Sequence, residues 1–398
     1  MLKSLEVKNF RMLKEIQVTG LGHLNLVVGR NNSGKSSFLE ALRVLCRRGS
    51  PALLQDLVAG RDETIASRIG SDDERAGESS PYRHLFLGRA FPAVDGEAIE
   101  IGDPETGQFV SIEHVFYRVE EETEKDADGD VTLVRKRVQL HKSGPEARAE
   151  GLQALSVKSD LGSAFWPIDS ADDIDRARRV RLNAFEREPS PVSFLSTRFL
   201  HPDRIATLWD QAVLTNAADD VLAGLRLIEP GVQGLAFVRS DEIDRAGYAS
   251  PRLREERALR GERIALVKLS GSARPIPLSS MGDGMLRVLQ LLLAMYPAKG
   301  GYFFVDEFEN GLHHSVQEGL WHLLFNLASR MNVQVIATTH SSDCISAFAS
   351  VAKSQQGSTG SLFRLKRLVA DDSTESIVAT AFTEEQLVVA QRSGIDLR

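Results

Sequence analysis

The sequence predicts an α/β fold, a mixed sheet around a phosphate-cradling loop, carrying a largely helical central insertion. Three observations predict it. The apolar strand Leu24-Asn25-Leu26-Val27-Val28 runs straight into a glycine-bearing loop, Gly29-Arg30-Asn31-Asn32-Ser33-Gly34-Lys35-Ser36, and from there into a helix. A second apolar strand, Tyr302 to Val305, ends in two acids, Asp306 and Glu307. Strands and helices alternate again from residue 259 onward, the pattern of a sheet covered by helices.

Composition bounds the alternatives. A chain of 398 residues, 42% apolar and 26% charged, is globular and large enough for one big domain with an insertion or for two domains. The formal net charge of −7 lacks the footprint of a protein that holds nucleic acid by overall charge. Cys46 and Cys344 form no CxxC or Cys/His pattern, which points to a reducing compartment without structural zinc. No apolar run approaches the roughly 18 residues that cross a bilayer, and no basic-then-apolar leader opens the chain, so the expected location is the cytoplasm, with no membrane partner.

In chain order, Leu2 to Val7 and Glu15 to Val18 read as short antiparallel strands, with Leu24 to Val28 the strand that feeds the loop. From Lys35 to Arg48, the apolar residues Phe38, Leu39, Leu42 and Leu45 recur at helical spacing, with Glu40 and Arg43 between them. Gly70 to Ser80 reads as an exposed polar loop, followed by strands near Ala98 to Ile101, Val110 to Arg118 and Val131 to Leu140. The turn Glu124 to Asp130 superficially resembles a calcium loop, but Arg135 would stand where the bidentate glutamate belongs; a polar hairpin turn is the expectation. Residues 1–142 are thus taken as the N-terminal part of the nucleotide core and 143–258 as a mostly helical insertion. The insertion holds helical patterns at Ala171 to Asn183 and Ala206 to Ile228, with a strand-like Val192 to Ser196. Residues 259–398 complete the core with strand Ile264 to Leu269, a long apolar helix from Gly284, strand Tyr302 to Val305, a helix, and strand Val333 to Ala337.

The chemistry follows from residue types at these places. Glycines let the loop curl so that successive N–H groups face phosphates; Lys35 neutralises the terminal phosphates, and Ser36 offers a hydroxyl to Mg2+. Gly29, Asn31, Asn32, Ser33, Gly34, Lys35, Ser36 and Ser37 are therefore the nucleotide-binding candidates. Asp306, at the carboxyl edge of a sheet strand, suits the metal shell with Ser36, and Glu307 stands where a carboxylate can take a proton from the attacking water. Leu278-Ser279-Ser280-Met281-Gly282-Asp283-Gly284 places hydroxyls, glycine N–H groups and a helix start together, an anion-binding arrangement. Ala337-Thr338-Thr339-His340 delivers a histidine to the same sheet edge.

This order of four motifs, with Asn9-Phe10-Arg11 after the first strand and Glu309-Asn310-Gly311-Leu312-His313 after the acids, resembles the ATP-binding-cassette (ABC) ATPase head of the RecF, SMC and OLD-like branch. The resemblance covers both ends, roughly half the chain. It implies ATP hydrolysis with Mg2+; a signature of Ser280, Gly282 and Asp283 that contacts the ATP of a second subunit; His340 as the switch histidine; and Arg11 reaching toward the phosphates. It implies an ATP-dependent homodimer. One element does not match: no glutamine between the P-loop and the insertion stands out as a Q-loop, with Gln55, Gln108 and Gln139 the candidates.

The missing membrane-partner motif and the long insertion argue against transport, and the signature-like element against an AAA+ ring. OLD-class relatives often continue into a metal-dependent nuclease, but Asp371, Asp372, Glu375, Glu384 and Glu385 are scattered in polar contexts and read as solvated surface. His313 and His314 lack an HNH ligand pattern and are assigned dimer contacts at most. By resemblance, an effector nuclease or toxin comes from a separate chain, as in standalone ATPases of bacterial anti-phage modules. A RecF-like ATPase acting on DNA directly is the alternative. For that, Arg176 to Arg181 and Arg252, Arg254, Arg257, Arg260 and Arg263 are candidate phosphate contacts, though nearby acids favour solvated helix faces. Gly394 to Arg398 reads as a structured or partner-facing tail.

Overall fold

The computed structural model describes residues 1–64, 80–92, 97–125, 131–140, 151–168, 190–215, 217–239, 263–354, 359–369, 375–382 and 386. The expected helix at 171–183, the arginines 176–181, 252, 254, 257 and 260, the acids 371, 372, 384 and 385, most of the 70–80 loop and the 394–398 tail lie outside the described residues.

The chain opens with a hairpin of β1 (Ser4–Phe10) and β2 (Leu13–Thr19), in which Leu5, Val7, Phe10, Leu13, Ile16 and Val18 are buried. β3 (Leu24–Val28) is buried at every position, as a strand covered on both faces must be. β4 (Ile99–Asp103) pairs with β1, and β5 (Gln108–Lys125) pairs with β4, with β6 (Val131–Leu140) and with β7 (Leu152–Ser159), which carries β8 (Gly162–Pro167). These strands form one antiparallel sheet.

The central sheet has the order β16 (Glu375–Phe382), β15 (Gly360–Val369), β3, β14 (Gln334–Thr339), β13 (Tyr302–Val305), β9 (Val192–Leu195). All of its pairings are parallel except that of β16 with β15. A third, small sheet joins β10 (Val232–Arg239), β11 (Arg263–Leu269) and β12 (Ile276–Pro277).

Period-two alternation assigns the two faces of the central sheet to different cores. Leu24, Leu26, Val28, Phe303, Val305, Val335 and Ala337 pack into a cluster with α3 (Pro202–Val213), α4 (Ala217–Arg226), α5 (Asp283–Met295), α6 (His314–Met331) and α7 (Ser342–Ser354). Val27, Phe304, Ile336, Phe363 and Leu365 face the other way, against α1 (Lys35–Cys46), α2 (Pro51–Ala59) and the antiparallel sheet. None of the described helices is long and apolar enough to cross a membrane.

The mixed α/β architecture is as expected, but the stretch 143–258 is not a mostly helical insertion among the described residues. β7 and β8 extend the N-terminal sheet, and β9 is the edge of the central one. Leu155 and Val157, two positions apart as on one face of a strand, are both buried, and β7 pairs with β5. The helix expected over 206–228 is two helices, broken after Val213, where Thr215 Oγ1 accepts the Ala217 N–H at 3.2 Å. The hairpin expected around 124–130 is met by the β5–β6 pairing, which reaches Lys125 opposite Val131.

Candidate functional site

β3, β14 and β13 lie side by side and parallel, so the three loops that leave their carboxyl ends meet at one edge. A cavity of about 860 Å3 opens there, lined by Asn31 to Ser37, Asp306 and Glu307 among others. That volume lies within the roughly 300–1,000 Å3 of small-ligand sites.

The P-loop enters α1 through Gly34, whose φ of 94° is left-handed, and a Cβ there would stand 2.7 Å from Ile377 Cδ1. Lys35 is buried, and its ammonium donates to the carbonyls of Gly29 (2.6 Å) and Arg30 (2.9 Å). Burial lowers its pKa against the opposing pull of Asp306, Glu307 and Glu309. Ser33 is buried, and its hydroxyl has no hydrogen-bond partner among the described residues.

Ser36 Oγ donates to Asp306 Oδ2 at 3.2 Å, although the two residues stand 270 positions apart. A hydroxyl and one carboxylate, both hard oxygen donors, fit Mg2+, which is held by few protein ligands together with phosphate oxygens. The other oxygen of Asp306 accepts from Thr338 Oγ1 at 2.6 Å, and Thr338 in turn accepts the Glu307 N–H at 2.9 Å. Glu307 has a φ of 48°, a left-handed conformation that costs a non-glycine residue about 1–3 kcal/mol and here turns the chain out of β13.

His340 follows β14 directly. Its Nδ1 lies 4.0 Å from Glu307 Oε1 and 3.1 Å from Glu309 Oε1, and Glu309 also accepts the His340 N–H at 2.9 Å. Sequence reasoning gave Glu309 no role, yet it holds the histidine at the site. It also missed Thr338 and the fully buried Arg287 of α5, which donates to the carbonyls of Ser196 (2.9 Å), Asp306 (2.9 Å) and Glu307 (2.7 Å). Desolvation pushes the Arg287 guanidinium down to about 10. Arg287 and Thr338 stood out only as polar side chains inside apolar runs, and Glu309, in the polar stretch after the acids, carried no such signal.

Three expectations are corrected or left unsupported by position. Arg11 is not directed at phosphates: its buried guanidinium is ion-paired to Glu40 and to Glu63 (2.8 Å) and donates to the Leu57 carbonyl. A buried cation flanked by two carboxylates has its charge satisfied within the N-terminal lobe. Neither Gln55, Gln108 nor Gln139 lines the P-loop cavity. Ser280, Gly282 and Asp283 are exposed and also lie outside it, on a 3-10 turn (Leu278–Met281) and the first turn of α5.

His313 caps α6, its Nδ1 accepting the Ser315 N–H, and Arg263 is engaged by Asp210 of α3 through two contacts, 2.5 and 2.8 Å.

Comparison with known proteins extends this geometry. A family described as “AAA domain, putative AbiEii toxin, Type IV TA system” matches residues 24–345. An ATP/GTP phosphatase of Helicobacter pylori is 21% identical over 365 residues, 87% of this chain and 86% of that protein. The DNA double-strand break repair Rad50 ATPase of Archaeoglobus fulgidus is 31% identical over 106 residues, 25% of this chain and 12% of that one. Among solved structures, an SMC head bound to the C-terminal winged-helix domain of ScpA has a TM-score of 0.45 and 12% identity, covering 96% of this chain and 98% of that one. The SMC head domain from Thermotoga maritima has a TM-score of 0.39 and 14% identity, covering 95% and 98%. The matched span begins with the strand that delivers the P-loop and ends in the helix after His340, so it contains the whole site, and the chain belongs to this AAA-domain family and is an ATPase.

Proposed function

We propose that this ATPase is a dimeric switch that closes on ATP and Mg2+ and acts with a separately encoded effector, a nuclease or toxin, in bacterial anti-phage defence. One observation carries the dimer: Ser280, Gly282 and Asp283, with helix-start N–H groups behind them, are exposed yet absent from the chain's own cavity. A segment of this kind outside the phosphate site is suited to the nucleotide of a second copy. The defence role rests on the family description and on the motif resemblance.

Within the site, Lys35 and the P-loop N–H groups hold the phosphates, while Ser36 and Asp306 would hold Mg2+. The metal, when bound, neutralises charge on the phosphate oxygens. Glu307 accepts the proton of the water whose oxygen attacks the terminal phosphorus, as the bond to the ADP oxygen breaks. His340, oriented by Glu309, stands beside that carboxylate and donates toward the phosphoryl oxygens.

The test is Glu307→Gln. It is expected to abolish turnover while ATP with Mg2+ converts the chain to a stable dimer, seen by light scattering. Undiminished hydrolysis would remove Glu307 from the mechanism, and a monomer with bound ATP would remove the trans signature. A second reading, a RecF-like repair ATPase that binds DNA directly, is favoured by another cavity of about 470 Å3 beside β15. It is lined by Arg30, Arg364, Lys366 and Arg367. DNA affinity that falls steeply with salt would support it.

A further inference from the structure

The loop after β9 forms a wall of the nucleotide cavity shared with the catalytic acids. β9 pairs in parallel with β13, Leu195 opposite Val305, and the Asp306 N–H donates to the Leu195 carbonyl at 2.9 Å. Ser196, Thr197 and Arg198 therefore leave the sheet at the edge where Asp306 and Glu307 leave it, and all five line the cavity.

The backbone of this loop is fastened. Arg287, while holding the carbonyls of Asp306 and Glu307, also holds that of Ser196 at 2.9 Å. Asn310 Nδ2 donates to the Thr197 carbonyl at 2.8 Å, and Ser196 Oγ donates to the Arg198 carbonyl at 3.3 Å. These bonds fix the loop relative to the acids. The side chain they present, Arg198, is exposed and makes no hydrogen bond or ion pair among the described residues, although carboxylates line the same cavity.

The other cations of the cavity wall are committed. Arg43 lies over the Phe194 ring at 3.8 Å and is buried enough that desolvation pushes it down to about 10. Arg61 pairs with Glu40 at 2.9 Å. Lys35 belongs to the P-loop. A triphosphate beside Asp306 and Glu307 adds negative charge to an already acidic wall, and transfer of its terminal phosphoryl group needs positioned cations more than covalent help.

We infer that Arg198 binds the terminal phosphate of ATP within its own subunit and stabilises the charge that develops on it during hydrolysis. This deepens the ATPase reading and rests on it. A planar guanidinium suits this task, because it can meet two phosphoryl oxygens at once. Arg198 distinguishes ATP from ADP, since only ATP has a group at its reach.

The experiment compares Arg198→Ala and Arg198→Lys with wild type in phosphate release, and measures fluorescent ATP and ADP binding to Arg198→Ala, Glu307→Gln and the double variant. Being exposed and unpaired among the described residues, Arg198 can be replaced with the melting temperature unchanged. Arg198→Ala is expected to lower kcat by about 10²–10³-fold, as loss of a phosphoryl-stabilising donor does. It should weaken ATP binding about tenfold in the Glu307→Gln background and leave ADP binding within about twofold, with lysine recovering part of the rate. A kcat within about threefold of wild type, or equal loss of ATP and ADP affinity, overturns the inference. If Glu307→Gln binds and traps ATP while Arg198→Ala is silent, only Arg198 falls. If Glu307→Gln fails to bind ATP, or keeps full turnover, the site assignment falls and Arg198 with it.

Discussion

Thr338 is the residue whose loss separates the geometry of the acids from their mere presence. Its side chain is fully buried, and its one hydroxyl does two things: it donates to Asp306 Oδ1 and accepts the Glu307 N–H. Thr338→Val keeps the shape and removes both bonds. A hydrogen bond to a charged acceptor contributes about 1.5–3 kcal/mol, and leaving the Glu307 N–H without a partner costs a further 1–3 kcal/mol or so. Because Glu307 sits in a left-handed conformation that itself costs about 1–3 kcal/mol, the lost bond removes much of what holds it there. Arg287 still holds the carbonyl on the other side of the residue, so the fold survives while the carboxylate shifts. A general base contributes about 10²–10⁴-fold, and small misplacement of a reacting group can cost about 10²-fold. Phosphate release at saturating ATP is therefore expected to fall about 10²-fold. The Mg2+ midpoint should rise several-fold, because Asp306 has lost its anchor, and Thr338→Ser should restore both. A Thr338→Val protein with kcat within about threefold of wild type would refute the claim that this hydroxyl sets the geometry of the acids.

Two predictions concern the frame around the site. A Cβ on Gly301 would stand 2.0 Å from the Pro191 carbonyl oxygen, a backbone atom that also accepts the Tyr302 N–H at 2.9 Å. Gly301→Ala should thus pry β9 from β13, costing about 2–4 kcal/mol in urea unfolding and lowering turnover; unchanged unfolding would show that the edge strand yields freely. Asp103 is fully buried, and although burial raises its pKa, bonds from Ser4 Oγ, the Lys3 N–H, Thr106 Oγ1 and the Glu105 N–H together bring it below the usual range. A depressed carboxylate stabilises the fold above its unfolded value, near pH 4, and that contribution is lost as pH falls through the folded value. Asp103→Asn should therefore unfold more easily by about 2–4 kcal/mol at pH 7, with the gap narrowing once pH falls below about 4; a pH-independent gap would place its origin elsewhere.

The motifs with a local signature were legible: a strand, a curled loop and a helix start for Gly29 to Ser36, and an apolar strand ending in acids for Asp306 and Glu307. Both are short-range patterns set by backbone geometry. Glu309, Thr338 and Arg287 were not legible as site residues, because their partners stand at sequence distances of 31 residues for the first, 32 for the second, and 19, 20 and 91 for Arg287. A polar residue in an apolar helix says that it will find a partner, not which one. Val192 to Ser196 was readable as a strand, but its place beside β13 was not, and with it the wall that carries Arg198. Arg11 went the other way: a motif position suggested phosphate, and the neighbouring Glu40 and Glu63 took the charge instead.

The position of β3 between β14 and β15 also bears on how the protein can be made. Both of its neighbours come from the last quarter of the chain, and even Leu2 is tied to Gln334, whose side chain receives the Leu2 N–H at 2.9 Å and donates to its carbonyl at 2.8 Å. A ribosome that has finished the P-loop has therefore finished a strand with two bare edges, which stays unpaired until some three hundred further residues emerge. Pairings this remote in sequence are slow to close. Nascent chains stalled before residue 334 are thus left with an apolar, edge-exposed segment that invites aggregation or chaperone capture, and the P-loop strand gains its neighbours only once β14 and β15 have emerged.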